Sequence, residues 1–70
     1  MTVSTPAEIG TLIRNERSKQ HLTQAELAGL AGVGITFISQ LENGKESAEL
    51  GKTLNVLAML GIDLIAERRA

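Results

Sequence analysis

The stretch LTQAELAGLAGVGITFISQLENGK, residues 22–45, decides the fold of this 70-residue chain. Its first turn carries Thr23 and, three residues later, Glu26, the spacing of a capping box in which the two residues satisfy each other's backbone N–H groups. Leu22 and Leu27 flank this start and can form a hydrophobic staple. We therefore expect a helix over residues 24–31, followed by a tight turn at Gly-Val-Gly, residues 32–34.

The second half of this stretch predicts another helix, over residues 35–43, with two different faces. Ile38 and Leu41 lie three residues apart and should point into a core. The opposite face carries small polar side chains, namely Thr36, Ser39, Gln40 and Asn43. Gly44 should end the helix, because glycine takes the left-handed conformation of a helix end most easily. Two short helices joined in this way form a helix-turn-helix, whose second helix enters the major groove of DNA.

One further helix is predicted on each side of this motif. Thr5, Pro6 and Glu8 mark a capped helix start, and that helix should end near residue 20. Residues 49–60 form the other helix, with an apolar stripe at helical spacing. The stripe consists of Leu50, Leu54, Leu57 and Ala58. Further apolar side chains, Val56, Met59 and Leu60, widen this surface and indicate a second buried contact.

The last residues of the chain have the alternating pattern of a β-strand. Ile62, Leu64 and Ala66 alternate with Asp63, Ile65 and Glu67. A lone strand leaves backbone groups unpaired. The short segment of residues 1–4 could pair with it, but we expect it to pair with its own copy across a two-fold axis. The predicted dimer contacts are Val56, Met59, Leu60, Ile62, Leu64 and Ile65. Residues 49–68 would then form the dimerisation unit of a single domain spanning 1–70.

The composition excludes several classes of site. With no cysteine and only one histidine, the chain offers neither a disulfide nor a metal cluster, and we expect no cofactor. No nucleophile with an adjacent base and no phosphate-binding glycine pattern is present, so we do not expect an enzyme. No signal peptide or membrane span is visible, which favours the cytoplasm. The net charge of −1 is uninformative, because nucleic-acid binding depends on where charges lie.

The motif L-T-Q-x-E-L-A, then A-G-V, then I-S-Q-L-E-N-G-K resembles the XRE family, which includes the Cro and repressor proteins of phages. The upstream IGTLIRNER is similar to the first helix of that family. The ending AELGKTLNVLAMLGIDL resembles the HipB-type subgroup, antitoxins paired with a HipA-type kinase toxin. The resemblance implies an all-α, lambda-repressor-like domain of four to five helices with a short C-terminal strand paired across a dimer.

The resemblance also implies roles for particular residues. Thr36 and Gln40 match base-reading positions of the family. From their own side chains, a base contact is also expected from Ser39, and Ile35 could contact a thymine methyl group or simply pack. Phosphate contacts are implied for Gln24, Asn43 and Lys45, and Arg14 is a further candidate because of its charge on the first helix. Arg17 and Glu42 match an ion pair between the first and third helices. The chain departs from the family pattern at Gly34, where Ser or Thr commonly caps the third helix, and at Ile35, where a polar base reader often stands. The amide of Gln40 could bind adenine through two hydrogen bonds.

The sequence thus predicts a dimeric, DNA-binding transcriptional repressor that binds a palindromic operator. The HipB-like ending further predicts an antitoxin that represses its own operon and binds a kinase toxin. Two alternatives stay open from the residues. One is a free-standing, phage-like repressor. The other, which the net charge of −1 leaves open, is a protein-interaction module that neutralises a toxin without important DNA binding.

Overall fold

The computed structural model describes residues 2–69, and within them the chain forms four α-helices. They are α1 (Pro6–Lys19), α2 (Gln24–Ala31), α3 (Ile35–Glu42) and α4 (Leu50–Met59). The all-α prediction is confirmed. α3 packs on both α1 and α2, and α2 also packs on α4, so the helix-turn-helix lies between the other two helices. None of the helices in this range has the length and apolar character needed to span a bilayer.

The first two helices begin where their capping residues predict. In α2, the Glu26 amide donates to Thr23 Oγ1 at 3.0 Å and the Thr23 amide donates to Glu26 Oε1 at 2.8 Å, which is a complete capping box. In α1, the Glu8 amide donates to Thr5 Oγ1 at 3.1 Å, while the Glu8 carboxylate accepts from the Ser4 amide at 3.0 Å. These backbone hydrogen bonds to their carboxylates hold the pKa of Glu8 and of Glu26 below the ordinary value.

All four helices end in the same kind of left-handed turn. Positive φ values occur at His21 (57°), Gly32 (68°), Gly44 (81°) and Gly61 (77°). The residue after each of these donates its amide to a carbonyl five residues back in sequence, at 2.9 to 3.1 Å. This is the hydrogen bond of the Schellman motif, which satisfies carbonyls left open at a helix end. His21 is the non-glycine member of the set.

All four helices contribute to one hydrophobic core. Its fully buried side chains are Ile13, Leu27, Ile38, Val56 and Leu57. Ala28, Ala31, Leu41 and Leu60 complete the buried cluster. The inward residues predicted for α3, Ile38 and Leu41, are confirmed, because both belong to this cluster.

The predicted apolar face of α4 is wrong. Leu57 is buried, but Leu50 is 70% exposed and Leu54 is 45% exposed, and Ala58 is exposed as well. The helix instead buries the side that carries Thr53, Val56, Leu57 and Leu60. Burial of Thr53 is possible because its hydroxyl donates to the Glu49 carbonyl at 2.8 Å. Two predicted dimer contacts, Val56 and Leu60, therefore lie in the core of the single chain.

The predicted C-terminal strand is not formed within the chain. Residues 62–69 have no regular secondary structure, and the segment 2–4 does not pair with them. Ile62 packs half-buried against the core, whereas Leu64 and Ile65 are exposed. A strand requires a hydrogen-bonded neighbour, and the single chain supplies none to these residues in the range described.

Candidate nucleic-acid interface

The outer face of α3 presents a ridge of polar side chains. Thr36 and Gln40 are one helical turn apart and both are exposed, and Asn43 continues the same side at the end of the helix. Ser39 lies half-buried beside them. Hydroxyl and amide groups on an exposed helix face are the groups that read base edges in the major groove.

The start of α3 differs from the rest of this face. Gly34 is the N-cap residue, and no side chain there makes a capping hydrogen bond. Ile35 follows at the first position of the helix and is exposed. Because it is not packed in the core, its side chain is available to contact the methyl group of a thymine.

A buried carboxylate fixes the end of α3 to the two preceding helices. Glu42 has a side chain only 1% exposed. Arg17 on α1 donates to it through two nitrogens, Nε to Oε2 at 2.6 Å and Nη2 to Oε1 at 3.0 Å. Gln24 at the start of α2 donates its Nε2 to Glu42 Oε1 at 3.1 Å. The structure thus brings Arg17 and Glu42 together, and it adds Gln24 to the pair.

The network keeps Glu42 charged. Burial alone would raise the pKa of this carboxyl, but hydrogen bonds from Arg17 and Gln24, with the positive charges of Arg17 and Arg14, bring its pKa below the ordinary value. The hydrogen bonds with Glu42 in turn raise the pKa of Arg17. Arg17 also donates Nη1 to the Leu22 carbonyl at 2.8 Å, so the ion pair also supports the connection between α1 and α2.

Gln24 has a structural contact in addition to its predicted phosphate contact. A glutamine amide nitrogen carries two hydrogens, and one of them is directed to Glu42. The second hydrogen and the backbone N–H at the helix start are the groups that a phosphate oxygen can accept from. The side chain is half-buried, which fits a residue that links α2 to α3 at the edge of the surface.

Two cationic side chains lie beside the C-terminal end of α3. Arg14 donates Nη2 to Asn43 Oδ1 at 3.4 Å, and its Nε is 3.8 Å from Glu42 Oε1. Lys45 donates Nζ to Gln40 Oε1 at 3.1 Å. The residues predicted to contact phosphate at this end, Arg14, Asn43 and Lys45, are therefore all in contact with the end of α3 and are all exposed.

Sequence reasoning missed the role of Gly10 in this surface. A Cβ added at Gly10 would lie 2.5 Å from the Leu41 carbonyl oxygen and 2.8 Å from that of Glu42. The bare glycine lets α1 approach the last turn of α3, which places Arg14 and Arg17 beside Glu42. The sequence did contain a signal for this close approach, because a glycine in the interior of a predicted helix usually marks close packing.

Only three of the six side chains predicted to make dimer contacts are exposed in the single chain. Met59, Leu64 and Ile65 are exposed, and Ile65 is 84% exposed. Leu50 and Leu54, which the sequence placed on the apolar stripe of α4, are exposed as well.

A family model described as a helix-turn-helix domain matches residues 8–70. The chain belongs to the helix-turn-helix family of the XRE type. Family membership agrees with the α2–turn–α3 arrangement and with the polar outer face of α3.

Two relatives are similar to this chain in sequence. The uncharacterized HTH-type transcriptional regulator y4mF of Sinorhizobium fredii (strain NBRC 101917 / NGR234) is 55% identical over 71 residues, covering 96% of this chain and 93% of that protein. The ImmF control region 10 kDa protein of Bacillus phage phi105 is 38% identical over 53 residues, covering 76% of this chain and 58% of that protein.

Solved structures of HipB have the same fold. The chain superposes on HipB in a HipA–HipB–O2–O3 complex with a TM-score of 0.89 at 21% identity, covering 100% of this chain and 99% of that one. A HipB–O4 20mer complex gives the same TM-score, identity and coverage. At this level of identity the similarity concerns the fold.

Proposed function

We propose that this helix-turn-helix protein is a sequence-specific DNA-binding transcriptional repressor, with α3 as the helix that enters the major groove. The observation that supports it best is the exposed polar ridge of α3, whose last turn is fixed by the buried Arg17–Glu42–Gln24 network. A helix that reads bases must hold its side chains in a fixed register, and a buried ionic network is one way to fix that register.

The proposal divides the surface into base readers and phosphate binders. Thr36, Ser39 and Gln40 would hydrogen-bond to base edges and Ile35 would contact a thymine methyl group. Phosphate oxygens would be bound by Gln24, Asn43, Lys45 and Arg14, which would fix the register of α3 in the groove.

The local charge supports DNA binding despite the net charge of −1. The buried carboxylate of Glu42 is paired with Arg17, so its negative charge is compensated inside the protein. Arg14 and Lys45 then add positive charge at the end of α3. Salt screens the interactions of exposed charges beyond about 8–10 Å. These two cations, which lie next to the outer face of α3, therefore matter more for DNA binding than the net charge of the chain.

We further propose that the protein acts as a symmetric dimer on a palindromic operator. The exposed apolar side chains of α4 and the C-terminal segment support this, because a small domain gains stability by burying such surface. Residues 62–66 would pair with their copy as an antiparallel strand. The two α3 helices would then enter successive major grooves roughly 34 Å apart.

Within this proposal, an autoregulating antitoxin of the HipBA type is the favoured biological setting. The support is the shared fold with HipB, including HipB in a complex with HipA and DNA. A HipA-type kinase toxin would bind a surface away from α3. The second candidate is a free-standing phage-like repressor, which the relationship to the phage phi105 ImmF control region protein favours.

The test of DNA binding is a salt titration on duplex DNA from the region upstream of the chain's own gene. We expect log K to fall linearly with log salt, with a slope of about −0.9 for each phosphate contact, and specific duplex to bind roughly 10³-fold or more tighter than random duplex. Thr36→Ala should reduce this preference, whereas Asn15→Ala, a polar truncation on α1, should not. Equal, weak binding to every duplex at low salt would contradict the repressor proposal and would support a protein-interaction module instead.

The biological setting is tested by co-expression with the product of the adjacent reading frame. Co-elution of a kinase-like protein with this chain supports the antitoxin, and the complex should still bind duplex if the toxin site lies away from α3. Repression of the promoter without any such partner supports the free-standing repressor.

A further inference from the structure

We infer that Lys45 determines specificity by positioning Gln40, so that the Gln40 amide reads guanine. This inference rests on the proposed function and goes beyond it in two ways: it names the base that Gln40 selects, and it replaces the phosphate contact of Lys45 with a contact to Gln40 and to that base. Phosphate neutralisation is the role expected for Lys45 from the resemblance, and adenine is the base that an unconstrained glutamine pairs with through two hydrogen bonds.

The backbone places Lys45 directly over Gln40. After the C-cap Asn43, Gly44 takes φ of 81° and turns the chain back. The Lys45 amide donates to the Gln40 carbonyl at 3.1 Å, which is the long bond of the Schellman motif.

Packing against α1 fixes this turn. A Cβ at Gly44 would lie 2.9 Å from the Cα of Ala7, so the turn lies directly on the first turn of α1. Position 45 is consequently held at one place relative to position 40, whatever the rotamers of the two side chains.

A side-chain hydrogen bond joins the same two residues. Lys45 Nζ donates to Gln40 Oε1 at 3.1 Å. An ammonium group only donates, and the amide oxygen is the only acceptor of the glutamine side chain. With this oxygen engaged by a cation, the Gln40 amide presents the two hydrogens of Nε2, and Lys45 keeps two more N–H groups beside them. The pair is therefore a set of donors with positive charge.

Guanine matches this set of donors and adenine does not. In the major groove, guanine presents two acceptors, N7 and O6, whereas adenine presents the acceptor N7 and the donor N6–H₂. To pair with adenine, the Gln40 amide oxygen would have to accept a hydrogen bond from the adenine N6–H₂ group. The positive charge of the Lys45 ammonium beside that oxygen repels the N6 hydrogens. Nε2 of Gln40 and Nζ of Lys45 can instead both donate to guanine.

The experiment is selection of bound duplexes from a randomised library at low salt, followed by sequencing. It compares the wild type with Gln40→Ala, Lys45→Met, Lys45→Arg and the control Lys52→Met. Lys52 lies on α4, where its Nζ is 3.4 Å from Glu49 Oε2 and 5.9 Å from the centre of the Phe37 ring. The control therefore removes the same charge from a lysine that does not contact Gln40.

We expect one position of the selected site to lose its preference in Gln40→Ala, and the wild type to select guanine there. Lys45→Met should move that preference from guanine toward adenine by about tenfold, since the amide oxygen becomes free to accept. Lys45→Arg should still select guanine, because arginine also donates to the amide oxygen. Lys52→Met should leave the selected base unchanged.

Each contrary outcome has a distinct meaning. Uniform weakening by Lys45→Met with the same selected bases would overturn the inference and leave Lys45 as a phosphate contact. Selection of adenine at the Gln40 position by the wild type, or no position that depends on Gln40, would overturn it as well. Failure to enrich any duplex would remove the proposed function itself.

Discussion

Glu42 is the residue on which the position of the recognition helix depends most. Its carboxylate is buried, and three of its hydrogen bonds come from two other helices. A buried charge is tolerated only when it is paired, and loss of one partner leaves the other charge uncompensated. If Glu42 lost its charge, the positive charge of Arg17, whose side chain is only 16% exposed, would be left uncompensated.

Glu42→Gln should destabilise the fold by about 3–5 kcal/mol, measured by urea unfolding at neutral pH. The pKa of Glu42 in the folded state lies below its ordinary value of 4.5. Its stabilisation is therefore fully present above about pH 4.5 and is lost as the pH falls through the folded-state pKa. The variant should show a weaker loss of stability with acid than the wild type.

Glu46→Gln, at an exposed loop carboxylate, is the matched control and should keep both the stability and the acid dependence of the wild type. A neutral-pH stability of Glu42→Gln equal to that of this control would show that the ion pair contributes nothing.

At the scale of elements, the contact between α1 and α3 depends on a residue without a side chain. Gly10 faces the carbonyl oxygens of Leu41 and Glu42 in the last turn of α3. Glycine in a helix interior normally costs about 1 kcal/mol relative to alanine. Gly29 provides the contrast, because it lies within α2 with nothing within 4 Å of a Cβ at that position.

Gly10→Ala should therefore destabilise the protein, by about 1–3 kcal/mol in thermal or urea unfolding, since the methyl group meets backbone that cannot move aside easily. Gly29→Ala should do the opposite and stabilise by about 0.5–1 kcal/mol. Equal stabilisation by both substitutions would contradict the close approach of α1 to α3.

At the scale of the whole molecule, the single chain leaves several apolar side chains of α4 and of the C-terminal segment exposed. Leu50, Leu54, Met59, Leu64 and Ile65 are all exposed. The core that the chain does bury is small, and a domain of this size is marginally stable by itself. Both facts favour the proposed dimer, in which a second copy would cover some of these side chains.

We expect the protein to have twice the mass of one 7.4 kDa chain in analytical ultracentrifugation at micromolar concentration. Ile65→Asp should shift it toward the monomer, because a charge would have to be buried at the interface. Thr11→Asp, the same charge change on the exposed surface of α1, should leave the mass unchanged. A wild type that is strictly monomeric would contradict the dimer.

The sequence by itself determined the helix boundaries and the helix-turn-helix. Capping boxes and Schellman turns use hydrogen bonds between residues at most five apart, so Thr23, Glu26 and Gly44 carry that information locally. The polar face of α3 also follows from residue spacing alone. For Arg17 and Glu42, 25 residues apart, spacing predicts nothing, and their pairing was expected only from the family resemblance.

The tertiary structure decided what depends on how separate helices meet. It selected the buried side of α4, because Val56 and Leu60 fill the core while Leu50 and Leu54 do not. Likewise, it placed Gly10 against α3 and brought Gln24 to Glu42. The physical reason is that a helix with apolar residues on several sides has no unique inward face in sequence. Its orientation is fixed only when close packing with distant residues selects one rotation.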